Sequence, residues 1–154
     1  MGIPWLEDEE QATWRAFLAA TRLLMDRLDA ELQSGAGIPH SYYEILVRLS
    51  EAPGWAMRMS DLAERCDSSR SRLSHAVGRL EERGWIRRES VESDRRGAVA
   101  ALTSAGLEAL EAAAPIHVEG VRRHLFDLLT PAQCQALGEI SRVLYEHLNA
   151  ASSI

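Results

Sequence analysis

Residues 14 to 32 carry apolar side chains at Trp14, Phe17, Leu18, Leu24, Met25, Leu28 and Leu32, with Thr21 among them. That spacing puts them on one helical face, so a long amphipathic helix is expected over 8–34, with Gly35 and Gly37 as its stop. Ser41 with Glu44 has the spacing of a capping box, ahead of Ile45, Leu46 and Leu49 as a buried stripe and Pro53-Gly54 as a breaker. A second, shorter helix follows from this. After a possible minor strand over 55–59, Ser60 is placed to cap a helix through Leu62, Ala63 and Cys66. Asp67 and Ser68 make a polar turn, and Ser69 is placed to cap a helix whose apolar positions Leu73, Ala76, Val77 and Leu80 fall at i, i+3, i+4 and i+7. Gly84 suits the left-handed residue that ends it. Two short helices across a tight polar turn form a helix-turn-helix pattern.

The pattern then changes period. Residues 85 to 88 and 98 to 102 read as two strands around the turn-prone run Glu92-Ser93-Asp94-Arg95-Arg96-Gly97, a hairpin or wing with a charged tip. Thr103 is placed to cap a long helix through Leu107, Leu110, Val118, Val121, Leu125 and Leu129, with Pro115 expected to kink it. Thr130, Pro131 and Gln133 make a helix start for a last stripe of Leu137, Ile140, Leu144 and Leu148. The expected fold is mainly α with a small β-wing: a winged helix-turn-helix lobe over 55–102, flanked by long helices over 8–34 and 104–150. One domain over 1–154 is the simplest organisation. A lobe this small cannot cover the stripes of the first and last helices, so an obligate homodimer is expected.

Composition narrows the function. With 154 residues, 46% hydrophobic and 26% charged, the chain has the make-up of an ordinary globular domain. No apolar run approaches a membrane span, and the acidic start at Glu7, Asp8, Glu9 and Glu10 lacks the order of a signal peptide, so a cytoplasmic location is expected. Cys66 and Cys134 are too few for a disulfide framework and are expected to be buried thiols. A net charge of −6 argues against binding phosphates, but its distribution alters that reading. From Arg70 to Arg96 eight arginines face five acids, a local balance of +3, and the remainder carries −9. A single basic block in an acidic molecule directs a polyanion to one face. All seventeen basic residues are arginine, which favours bidentate contact.

The helix capped by Ser69 carries Arg70, Ser71, Arg72, Ser74, His75, Gly78 and Arg79 opposite its apolar stripe. Arginine can grip guanine O6 and N7, serine can bond base edges or phosphate, and a helix N-terminus attracts phosphate. The same residues would also serve as a plain solvated face. Arg95 and Arg96 at the wing tip suit a narrow minor groove, and Asp94 could orient one of them.

The run from Met59 to Leu107 (M-S-D-L-A-E-R-C, S-R-S-R-L-S-H-A-V-G-R-L-E-E-R-G-W-I-R-R, D-R-R-G-A-V-A-A-L-T-S-A-G-L) resembles the core of the multiple-antibiotic-resistance regulator (MarR) family, and the flanking helices match its layout. The most specific part is the D-x-R of the wing followed by the L-T helix start, here Asp94, Arg96, Leu102 and Thr103. The resemblance implies a dimer with interlocked end helices, a recognition helix in the major groove of a pseudo-palindromic double-stranded operator, and Arg96 in the minor groove. Ser69, Arg70, Ser71, Arg72, Ser74, His75 and Arg79 would then line the major-groove side. It also implies a repressor released by a small aromatic or phenolic ligand between the long helices and the lobe, where Trp14, Arg22, His40, Tyr42, Tyr43 and Arg58 could supply walls and a cationic anchor, though each could equally serve the core or the surface. The oxidant-sensing branch fits poorly, since its first-helix cysteine is missing here.

Two other readings stay open. A metal-responsive regulator would use His117 and His124 with His40 or His147, which lack the short spacings of zinc ligands, and a winged-helix association module would not read DNA. No cofactor is expected. The motifs of nucleophilic hydrolases, zinc proteases, dinucleotide enzymes and Walker NTPases are missing, as is lysine altogether, so no enzyme is expected.

Overall fold

A computed structural model describes residues 4–90 and 97–151; Asp94, Arg95 and Arg96 of the expected wing tip lie outside the described residues. The chain runs α1 (Asp8–Ala36), α2 (His40–Ser50), a 3-10 turn (Pro53–Trp55), β1 (Ala56–Arg58), α3 (Met59–Arg65), α4 (Arg70–Glu82), β2 (Ile86–Ser90), β3 (Ala98–Leu102), α5 (Ser104–His124), a second 3-10 turn (Phe126–Leu128) and α6 (Pro131–Ala151). This is the mainly helical fold with a small β-wing that the pattern predicts. No helix among the described residues is long and apolar enough to cross a membrane.

The chain separates into two compact units, Met1–Val118 and Glu119–Ile154. In the first, Leu32, Ile38, Leu46, Leu49, Leu62, Leu73, Val77 and Leu80 close a core at 1% exposure or less. Each such leucine contributes roughly 1.5–3 kcal/mol over an exposed one. β3 lies between β1 and β2, antiparallel to both, with Met57 opposite Ala100 and Arg88 opposite Ala100 from the other side. The second unit holds the end of α5 and all of α6. There Thr130 accepts from the Gln133 N–H at 3.3 Å while Gln133 accepts from the Thr130 N–H at 2.9 Å, the reciprocal cap that the sequence predicts.

Several helix ends differ from expectation. α2 starts at His40 with Pro39 as its cap, because Asp29 of α1 reaches across to accept the His40 N–H at 2.7 Å and takes the role expected of Ser41. α3 starts at Met59 with no side-chain cap, and the Ser60 hydroxyl donates to Asp61 instead, at 3.0 Å. α5 continues through Pro115 but ends at His124, short of Leu129. Both cysteines are half-buried rather than buried. The long first helix buries only Leu28 and Leu32; Trp14, Phe17, Leu18 and Met25 are exposed.

Thr103 joins the end of α4, the strands and α5. Its hydroxyl accepts the Gly106 N–H at 3.0 Å, as expected of a cap, and donates to the Gly84 carbonyl at 2.7 Å. Its own N–H donates to the Trp85 carbonyl at 3.0 Å. A Cβ at position 106 would run into that Trp85 carbonyl, so this close approach requires Gly106.

Candidate nucleic-acid interface

The turn between α3 and α4 is built by backbone geometry. Asp67 takes a left-handed φ of 46°, and the Ser68 N–H returns to the Ala63 carbonyl at 2.9 Å. Ser69 then caps α4 as expected, its hydroxyl accepting the Arg72 N–H at 3.2 Å. With Leu73, Val77 and Leu80 buried, the rotation of α4 is fixed. Ser69, Arg70, Ser71, Arg72, His75 and Arg79 are exposed together on the opposite side, and Ser74 is half-buried at its edge. Arg79 pairs with Glu82 at 3.0 Å, on the solvated side of the helix.

Beside the start of α4 is a cleft of about 420 Å³ lined by Arg58, Ser60, Arg70, Ser74 and Arg88, with Gly97 and Ala98 of the wing closing it. The Arg58 and Arg70 guanidinium groups and the Ser60 hydroxyl on this rim suit phosphate oxygens, while the Arg88 guanidinium is turned to Ser74 and Glu81. A second cleft of about 450 Å³ lies between α2 and α4, where Tyr42, Glu44, Cys66, Asp67, Arg72 and His75 meet. Burial and the neighbouring Glu44 push the Cys66 thiol up to about 11, which leaves it protonated and unreactive at neutral pH.

The six residues expected at a ligand site do not share one place. His40 and Tyr43 meet with ring centroids 6.3 Å apart, and His117 of α5 joins them at 5.2 Å and 4.7 Å. Burial, with His40 adjacent, holds His117 below its ordinary range, and burial raises the Tyr43 phenol. The Nδ1 of His117 is buried without a hydrogen-bond partner among the described residues. Tyr42 opens to the second cleft, Arg58 to the first, Arg22 pairs with Asp26 at 3.4 Å, and Trp14 stacks near Phe17 on exposed α1. Sequence reasoning considered His117 only as a metal ligand. The signal for its packing role was its place on the α5 face that also buries Leu110 and Ala113.

A residue outside the expected set is heavily bonded within this region. Arg88 of β2 bonds Glu81 and Ser74 of α4 through its backbone and every nitrogen of its guanidinium.

Residues 36–97, which span α2 to the wing, match the model of the MarR family. The fold is similar to that of Sco3205, a MarR family transcriptional regulator from Streptomyces coelicolor solved in complex with DNA: the TM-score is 0.91 at 51% identity, over 95% of this chain and 92% of that one. It is also similar to AbsC, a MarR family transcriptional regulator from the same organism, with a TM-score of 0.90 and 47% identity over 96% and 99% of the two chains. The transcriptional repressor MprA of Escherichia coli strain K12 is 30% identical over 114 residues, 73% of this chain and 64% of that protein. Identity of this extent over nearly the whole chain, with the same order of helices and wing, leaves one assignment. The chain belongs to the MarR family of transcriptional regulators.

Proposed function

We propose that this chain is a homodimeric repressor that binds a pseudo-palindromic operator in double-stranded DNA and is released by a small aromatic or phenolic molecule. The exposed face of α4 carries the reading: Arg70 and Arg72 stand at its capped start, His75 and Arg79 follow along the helix, and Arg58 and Arg70 line the cleft beside it. Ser69, Ser71 and Ser74 complete the major-groove side, and Arg96, flanked by Asp94 and Arg95, reaches the minor groove. The similarity to Sco3205, whose structure contains DNA, supports this assignment. The apolar side chains exposed on α1 and on α6 support the dimer, and the named role of MprA supports repression.

For the ligand, the wall made by His40, Tyr43 and His117 is the best-supported place. A buried imidazole nitrogen without a partner there suits a phenol or carboxylic acid that presents one hydrogen-bonding group beside an aromatic ring. Selection of duplexes from random DNA, followed by mobility shift, tests the first reading: a pseudo-palindrome should emerge, and binding to no duplex would favour an association module. Titrating aromatic carboxylates and phenols against that complex, in the parent and in His117→Phe, tests the second. Release that is equal in both proteins would place the ligand elsewhere.

A further inference from the structure

The geometry points to Arg88 as a positioning residue that locks the wing to the recognition helix and so couples major-groove to minor-groove reading. The inference rests on the DNA-binding reading above. Strand periodicity explains the aim of this side chain. Ile86 and Arg88 are two apart in β2, so both face α4, while Arg87 and Glu89 face away and pair with each other at 2.7 Å. On α4, Ser74, Gly78 and Glu81 fall at i, i+4 and i+7 and form one stripe opposite Arg88.

The Arg88 backbone N–H donates to Glu81 Oε1 at 3.1 Å, and its Nε pairs with Glu81 Oε2 at 2.9 Å. Its Nη1 donates to the Ser74 hydroxyl at 3.2 Å and its Nη2 to the Ser74 carbonyl at 2.6 Å. A Cβ on Gly78 would stand 3.5 Å from Nη2, so the guanidinium lies directly over that glycine. An arginine whose nitrogens are all directed at protein acceptors is held in one geometry, and its side chain is about two-thirds shielded, at 32% exposure. Two consequences follow for recognition. The spacing between the α4 face and β2, from which the wing springs, is fixed before DNA arrives, so α4 and β2 meet DNA as one body. The Ser74 hydroxyl already accepts one bond from Arg88, so it meets DNA with its hydrogen and a single remaining lone pair, in an orientation the arginine restricts.

Glu81 supplies the discriminating test, because the brace and a plain phosphate contact predict opposite signs for it. Duplexes selected from random DNA by the parent serve as probe, with a scrambled duplex as the non-specific control. Under the brace, Glu81→Gln weakens binding to the selected duplex about fivefold while leaving the scrambled duplex unchanged, although it removes a negative charge. Arg88→Lys keeps the charge and does not recover affinity, and the double variant Glu81→Gln/Arg88→Met is no worse than Arg88→Met alone. Under a phosphate contact, Glu81→Gln binds as tightly or more tightly, Arg88→Lys recovers most of the affinity, and Arg88→Met lowers the salt slope by about one. Either of the first two results overturns the brace. Hydrogen exchange of the free protein gives a readout that needs no DNA: β2 amides should exchange faster in Glu81→Gln and in Arg88→Lys, and unchanged exchange in both would also overturn it. A parent that selects no duplex but shows the exchange effect refutes DNA reading while leaving the lock in place.

Discussion

The helix-turn-helix lobe and the last helix are made from similar amounts of apolar residue put to opposite uses. In α4 the stripe of Leu73, Val77 and Leu80 is at 1% exposure or less, sealed within its own unit. In α6 the stripe of Ile140, Val143, Leu144, Tyr145 and Leu148 is 43% to 67% exposed. Monomers seldom expose contiguous apolar surface of that extent without a partner. The lobe is thus complete within one chain, while the last helix is patterned for a surface that a second copy would supply. Under the proposed dimer, reading DNA and setting the distance between two readers would belong to different parts of the sequence.

The largest effect expected from breaking this division comes from removing Pro131 to Ile154. The dimer should be lost in sedimentation, and operator affinity should fall by two orders of magnitude or more, since a lone lobe keeps only one half-site. A truncated chain that stayed folded and dimeric would place the interface elsewhere. Next in size is Leu80→Ala, which opens a cavity in the sealed lobe and should cost about 2–5 kcal/mol in chemical denaturation. The matching change Leu148→Ala, on a side chain 63% exposed in the single chain, should leave the unfolding of the lobe unchanged and act only through protein concentration. Equal concentration-independent losses for both would remove the distinction.

Arg72→Ala is a smaller change and sharpens the comparison within the lobe. Its loss should relax discrimination at one guanine by about 1–3 kcal/mol and leave the dimer and the unfolding midpoint intact. Arg96→Ala should instead weaken preference for A·T pairs at the site edges. Binding to a panel of single-substitution duplexes separates the two, and equal losses on every duplex would show that neither arginine reads sequence.

Much of this arrangement was legible in advance because it depends on local periodicity. The i, i+3, i+4, i+7 spacing of Leu73 to Leu80 and the Ser69 cap place the exposed arginines of α4 without knowledge of any other element. Thr103, Gly84 and the Thr130–Gln133 pair were legible for the same reason. What escaped depends on contacts distant in sequence. Asp29 caps α2 from 11 residues away, so Ser41 looked like the cap. Arg88 meets Ser74 across 14 residues, and its role needs both the strand period and the helix period at once. Trp14, Arg22, Tyr42 and Arg58 were grouped by chemical suitability, which carries no spatial information, and the fold sends them to different surfaces.

The smallest expected effect concerns acidity at the junction of α2 and α5. His117 is held below its ordinary value of 6.5, first by burial and then by His40, whose ring centroid lies 5.2 Å away. Its other close ring is the Tyr43 phenol, uncharged throughout this range because burial raises it, while Asp29 faces His40 through the backbone N–H rather than His117. A histidine depressed in the folded state binds its proton more readily once the chain unfolds. Stability is therefore retained above about 6.5, declines as pH falls from there through the lower folded value, and changes no further below it on this account. Among the described residues the one titratable side chain in the buried core is Tyr43, at the α2–α5 junction itself, so acid should loosen that junction before it reaches α4. Urea midpoints at pH 7.5 and pH 5.5 should differ more in the parent than in His117→Gln. An identical drop in both would assign the acid sensitivity to other groups and leave the junction as inert to protons as the sealed face of α4.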